Sequence, residues 1–148
     1  MKERAVNKLR EFNRYYLPIL DVLGDSYLGS GYAFPEARVL YEIYMRDGIT
    51  ATTIAQRMGV DKSYISRIVK RHEKAGTLTR TVSKTDGRAY ELHLTETGME
   101  QMKKVDLGAD QHAYALIRGL DEVDRQRLST ALETVTELLS GRKERLIM

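Results

Sequence analysis

Apolar residues recur along this chain in two different periods, and the change from one to the other sets out the fold. Val6, Leu9, Tyr16, Leu20 and Leu23 fall on one stripe of an amphipathic helix. Pro18 lies inside that stripe and predicts a kink or a split. Gly24 to Tyr32, rich in glycine and serine, reads as a loop. Pro35 suits the first position of a second helix and Glu36 its positive N-terminus. That helix would bury Ala37, Leu40, Tyr41 and Tyr44 or Met45, and end at Asp47-Gly48. Two short helices follow, and after Gly76 the period becomes two. Leu78, Arg80 and Val82 lead to the turn Lys84-Thr85-Asp86-Gly87, and then Tyr90, Leu92 and Leu94 alternate with Glu91 and His93. Thr95 then caps a long helix carrying Met99, Met102, Val105, Ala109, Ala113, Leu116 and Leu120. Asp121 opens a last helix striped by Leu128, Ala131, Leu132, Val135, Leu138 and Leu139. The expected class is mainly α with a small β-hairpin, in the order four helices, hairpin, two helices.

Composition narrows the chemistry. The 148 residues are 42% apolar and 30% charged, ordinary for one folded domain. With no cysteine, disulfides, thiolate metal sites, thiol nucleophiles and thiol redox switches are excluded. No apolar run approaches the roughly 18 residues of a membrane span, and the charged start Lys2-Glu3-Arg4 leads into no apolar signal core, so a soluble cytoplasmic protein is expected. The net charge is only +3, but Asp61 to Tyr90 alone carries eight basic and three acidic residues, a net +5 on an otherwise slightly acidic chain. Such a block is the footprint of a polyanion site, although a solvated helix face would look the same in isolation.

The stretch from Thr50 to Val69 decides between those readings. Ala55 is small where two helices would cross, Gly59 permits a left-handed turn, and Val60, Ile65 and Ile68 offer an apolar plug, with Asp61 placed to cap the second helix through its carboxylate. This pattern is what a helix-turn-helix requires sterically, and an αα-hairpin built only for stability satisfies it too. The outward positions of the second helix are what favour DNA. Ser63, Tyr64, Ser66 and Arg67 near its N-terminus suit base edges in a major groove, while Lys70, Arg71 and Lys74 suit phosphates. The hairpin tip adds Lys84, Asp86 and Arg88, a wing from which Arg88 would enter a minor groove with Asp86 pairing to fix an arginine's direction. The plain alternative for the tip is a solvent-exposed turn.

These residues resemble the MarR (multiple antibiotic resistance regulator) family of bacterial transcription factors over essentially the whole chain. The resemblance is carried by Ile54-Ala55-Gln56-Arg57-Met58-Gly59-Val60-Asp61-Lys62-Ser63, by Glu73-Lys74-Ala75-Gly76-Thr77-Leu78, and by Asp86-Gly87-Arg88-Ala89 leading to Leu94-Thr95-Glu96-Thr97-Gly98. Asp86 and Arg88 match the family's D-x-R wing motif; Gly87 stands where a basic residue is common, and Thr77 and Thr79 replace apolar strand positions. The resemblance implies a single domain, with 34–95 as a winged helix-turn-helix lobe and 1–33 and 96–148 as dimerisation helices. It also implies an operator-binding homodimer and a ligand-responsive repressor without catalytic activity. The opening segment is also similar to family members fused to an acetyltransferase, a domain not expected here. Independently, the first and last stripes lack partners in so small a core, which points to pairing between two copies, a fold-back monomer being the alternative.

The resemblance further implies an effector cleft where the first two helices meet the long fifth helix. Tyr15, Tyr16, Tyr32, Tyr41 and Tyr44, with Arg14 or Arg38 as the cation, would suit a small aromatic or anionic effector, though core packing explains a single tyrosine equally well. His72, His93 and His112 show no metal-ligand spacing, and no phosphate loop or nucleophile motif is present, so no metal, cofactor or catalytic site is expected. The alternative function is a winged helix used for protein contact, or an architectural DNA-binding module without effector control.

Overall fold

The computed structural model describes residues 3–141 and holds six α-helices and one antiparallel hairpin among them. Helix α1 (Arg4–Ile19) continues through Pro18 rather than splitting there, because Pro18 falls in the final turn. Leu20 N–H closes that turn on the Tyr16 carbonyl at 3.2 Å, and Asp21, at φ 57°, turns the chain away. Leu20 and Leu23 therefore lie beyond the helix. The following loop contains one short 3-10 turn at Tyr27–Gly29.

Helix α2 (Phe34–Met45) takes Pro35 as its second rather than its first residue, and buries Ala37, Val39, Leu40, Glu42 and Ile43. Tyr41 and Tyr44 are half-buried, whereas Met45 is exposed. Glu42 is a carboxylate only 3% exposed, and Arg38 Nε and Arg57 Nε each donate to one of its oxygens at 2.8 Å. That pairing ties α2 to α3 (Ala51–Met58), whose free N-terminus is capped by Thr50 Oγ1 accepting Thr53 N–H at 3.2 Å.

Gly59, at φ 66°, ends α3 and admits α4 (Lys62–Ala75). Two details of this turn depart from expectation. Val60 does not plug the helix crossing; the left-handed Gly59 turns it outward and leaves it 38% exposed, so Ile54, Ile65, Ile68 and Val69 fill the space instead. Asp61 occupies the cap position, but its carboxylate accepts no backbone N–H; its carbonyl accepts those of Tyr64 and Ile65, and the side chain stays exposed.

Strands β1 (Leu78–Val82) and β2 (Tyr90–Leu94) pair antiparallel with Leu78 opposite Leu94, Arg80 opposite Leu92 and Val82 opposite Tyr90. The chain at Gly48–Thr50 lies along the other edge of β2: Gly48 N–H donates to Leu92 O at 2.8 Å, and Leu92 N–H to Ile49 O at 3.0 Å. The base of the hairpin is thereby fixed beside the start of α3. Helix α5 (Glu96–Ile117) begins at the Thr95 cap and buries Gly98 and Met102 in the same core, so its first half belongs physically with the 34–95 lobe.

Helix α6 (Glu122–Leu139) is capped by Asp121, whose carboxylate accepts Asp124 N–H at 2.8 Å. Neither α1 nor α6 buries a residue, and Val6, Leu9, Phe12, Leu128, Leu132 and Val135 are exposed along them. Residues 1–2 and 142–148 of the expected dimerisation segments lie outside the described residues.

Candidate nucleic-acid interface

Helix α4 divides cleanly by the 100° step of its residues. Ile65, Ile68, Val69 and His72 face the core, and the opposite side presents Ser63, Arg67, Lys70 and Lys74 to solvent. Lys62 and Ser66 lie on the flank beside the hairpin. Tyr64 and Arg71 lie on the other flank: Tyr64 is half-buried against the core with the Arg67 guanidinium 6.0 Å from its ring centre, and Arg71 Nη1 donates to Glu36 on α2. The hydroxyls and cations read from the sequence thus divide into those standing free of the fold and two engaged by it.

The wing is shaped by its own short polar side chains. Ser83 Oγ accepts the N–H groups of Thr85 and Asp86 at 3.3 Å each, and Ser83 N–H closes the loop on Ala89 O at 2.9 Å. The ion pair expected between Asp86 and an arginine is absent among the described residues. Instead Asp86 Oδ1 accepts the backbone N–H of Arg88 at 3.0 Å, the ordinary Asx turn of an aspartate two residues ahead, and the guanidinium stays exposed with Lys84.

Between the start of α3, helix α4 and the hairpin lies a cleft of about 270 Å³, lined by Thr50, Thr52, Lys62, Ser66, Lys70, Arg80 and Arg88 among others. Four cations and three hydroxyls converging on one concavity form a surface complementary to a phosphate backbone. Arg80 was not expected there, since its place in the strand alternation marks only a position on the core-facing side. Its Nε donates to Glu73 Oε2 at 2.6 Å and its guanidinium carbon sits 4.7 Å from the Tyr90 ring centre. The hydrogen bond to Glu73 holds its pKa above the ordinary arginine value.

His72, at the end of α4, is only 4% exposed. The Thr77 hydroxyl donates to the His72 carbonyl at 3.0 Å, so it must accept the proton of His72 Nδ1, 2.9 Å away. The remaining nitrogen, Nε2, is buried without a hydrogen-bond partner and lies 3.9 Å from Glu36. Burial, and secondarily Arg71, push the pKa of His72 below the ordinary value. Thr77 is thus what fixes this imidazole.

Two cavities occupy the junction of α2, the 27–32 loop and α5. One, about 320 Å³, is lined by Tyr27, Phe34, Arg38, Tyr41, Met102 and Asp106; its neighbour, about 350 Å³, by Tyr27, Tyr32, Gln101 and Lys104 among others. Arg38 and Tyr41 therefore meet in one, and Tyr32 reaches the other, where its O–H donates to Gln101 Oε1. Tyr27, shared by both, had no periodicity to mark it. Burial raises the phenol pKa of Tyr27 and Tyr32, keeping both protonated. Tyr15, 72% exposed, Tyr16, stacked on Phe12 at 4.8 Å, and Arg14 stand on α1 and line neither cavity; Tyr44 packs against the core. Among the described residues there is no group of three or more His, Cys, Asp or Glu able to hold a metal, and no helix is long and apolar enough to cross a membrane.

Residues 30–89, which hold α2 to the wing tip, match the family model described as MarR family. Over 134 residues the chain is 28% identical to the organic hydroperoxide resistance transcriptional regulator of Bacillus subtilis (strain 168), covering 88% of this chain and 82% of that one. Streptococcus pneumoniae FabT in complex with DNA superposes with a TM-score of 0.74 at 18% identity, over 92% of this chain and 95% of that chain. The S. aureus MepR–DNA complex superposes with a TM-score of 0.70 at 18% identity, over 93% of this chain and 100% of that chain. At such identities the two structures establish the winged-helix fold, and the sequence match supplies the kinship. Residues 30–89 thus match the MarR family, and the relatives to which the chain is similar in sequence are transcriptional regulators.

Proposed function

We infer that this protein binds double-stranded DNA sequence-specifically as a homodimer on a pseudo-palindromic operator, and acts as a ligand-responsive repressor. The observation that carries this reading is the convergence of Lys62, Ser66, Lys70 and Arg88 on one cleft beside the exposed Ser63–Arg67 face of α4. The α4 face reads bases in the major groove, principally through Ser63, Ser66 and Arg67 with Tyr64 beside them, while Lys70, Arg71 and Lys74 hold phosphates. The wing, with Lys84 and Arg88 held out by the Asp86 turn, enters the flanking minor groove.

The uncovered apolar faces of α1 and α6 support dimerisation, since a lone chain would leave both in water. Two copies joined there present two α4 helices to successive major grooves, ~34 Å apart. The Arg38–Tyr41 cavity would take a small aromatic carboxylate, with Arg38 as its cation; a ligand preferring one spacing of the lobes would shift the dimer off its operator. The Bacillus subtilis relative is an organic hydroperoxide resistance transcriptional regulator, and the FabT and MepR structures hold DNA. Fluorescence anisotropy on DNA upstream of the protein's own gene, at several salt concentrations and with scrambled competitor, tests the reading. Specific binding that weakens with salt is expected. Salt-dependent binding without sequence preference would favour an architectural role, and no binding at low salt a protein-contact role.

A further inference from the structure

The hairpin leaves the core partway along its length. Leu78 and Leu92 are buried, but Val82 and Tyr90, one pair further out, are largely exposed. Two strands alone are only marginally stable in water, so the projecting half needs another hold if it is to point in one direction. At the level where apolar cover ends, Arg80 supplies it. Its guanidinium joins three elements: it belongs to β1, bonds Glu73 in the last turns of α4, and lies over Tyr90 of β2. Because a carboxylate and an aromatic face already match its charge, it is not a loose cation awaiting a phosphate. Lys62, Lys70 and Arg88, which share its cleft, form no ion pair among the described residues.

We propose that Arg80 is a positioning residue for the wing: gripped by Glu73 and covered by Tyr90, it fixes the direction in which the hairpin carries Arg88 relative to Arg67 and Lys70. Beyond it Thr81 bonds His93, which reaches Asp47, and Glu91 bridges to Thr50, so β2 is tied to the 47–50 segment. The tip itself is shaped by local turn bonds, and Arg80 supplies the side-chain link to α4. A groove-reading helix and a wing engage one duplex together only when the angle between them is held, so the clamp turns two separate contacts into a joint one. The planar stack is part of the hold, and lysine does not reproduce it.

Resting on the DNA-binding reading above, the assignment is tested in two arms that fail separately. The first needs no DNA. The chain has no native cysteine, a Cβ at Gly87 meets no atom within 4 Å, and Gln56 is exposed, so Gly87→Cys and Gln56→Cys accept spin labels on the wing tip and α3. A narrow electron–electron distance distribution is expected, broadened by Arg80→Gln and equally by Arg80→Lys. An unchanged distribution, or restoration by lysine, overturns the clamp. The second arm uses the full chain on a duplex that it has itself selected from a random pool. Arg80→Gln and Arg88→Ala should each weaken binding about tenfold, and the double variant no further than Arg88→Ala alone. Losses that multiply would make Arg80 an independent contact and overturn its positioning role. Failure of the wild-type chain to select any duplex counts against the DNA-binding reading, and the distance arm then decides the clamp.

Discussion

Five residues apart on α4, Arg67 stands in solvent and His72 is sealed in the core, and each makes a different demand on experiment. Arg67 projects from the exposed face with the Tyr64 ring centre 6.0 Å from its guanidinium, and on the proposed DNA-binding reading it pairs with a guanine edge. Arg67→Ala should cost about 1–3 kcal/mol on the selected duplex and little on scrambled DNA; equal loss on both would remove its base-reading role. His72 is neutral in the fold because burial lowers its pKa. The unfolded chain takes up the proton more readily, so stability is full above the ordinary histidine value of 6.5 and declines as the pH falls through it towards the depressed folded value. Chemical denaturation at pH 7.5 and 5.5 should show the wild type losing more stability than His72→Gln, and matching losses would show that another group carries the acid sensitivity. Arg67 can be picked out from sequence, as a cation outside the apolar stripe. The state of His72 cannot, since Thr77, Glu36 and Arg71 reach it from the turn before β1, α2 and its own helix together.

The elements themselves are legible in the sequence wherever the signal is local. Thr95 and Asp121 can be identified as caps because each accepts an N–H three residues ahead, and the hairpin because its alternation brackets a polar turn. Pro18, Val60 and Asp61 mislead for a shared reason: each stands at a helix end, where one turn's geometry decides whether a residue continues, buries or caps. Glu42 is illegible in another way. A carboxylate in an apolar stripe is tolerated because Arg38, one turn away, and Arg57, from a different helix, both pair with it. The cavities proposed for an effector are assembled likewise from α2, the 27–32 loop and α5, and their lining includes no residue of α1, where Arg14, Tyr15 and Tyr16 stand. Contact between Thr77, in the turn before β1, and α5 is close enough to test. A Cβ on Gly98 would overlap the Thr77 carbonyl, which is backbone and cannot swing aside. Gly98→Ala should destabilise the protein by about 2 kcal/mol, read as a lower urea midpoint, and an unchanged midpoint would mean the two elements are not packed as described.

At the scale of the whole molecule, the apolar faces of α1 and α6 are the feature that a single chain leaves unresolved. Removing the residues after Ser129 deletes most of the α6 stripe, including Leu132, Val135 and Leu138. Sedimentation should then show monomers where the full chain gives dimers; a surviving dimer would place the interface elsewhere. Dimerisation matters because one α4 helix with one wing covers a single half-site, while two held one helical turn apart define an operator. Hydroxyl-radical and methylation footprinting of the full chain on its selected duplex therefore tests the central claim most directly. The account predicts two major-groove half-sites, one turn apart on one face, each flanked by minor-groove protection that disappears with Arg88→Ala. Continuous protection without half-sites, or major-groove protection that Arg67→Ala leaves intact, would contradict it.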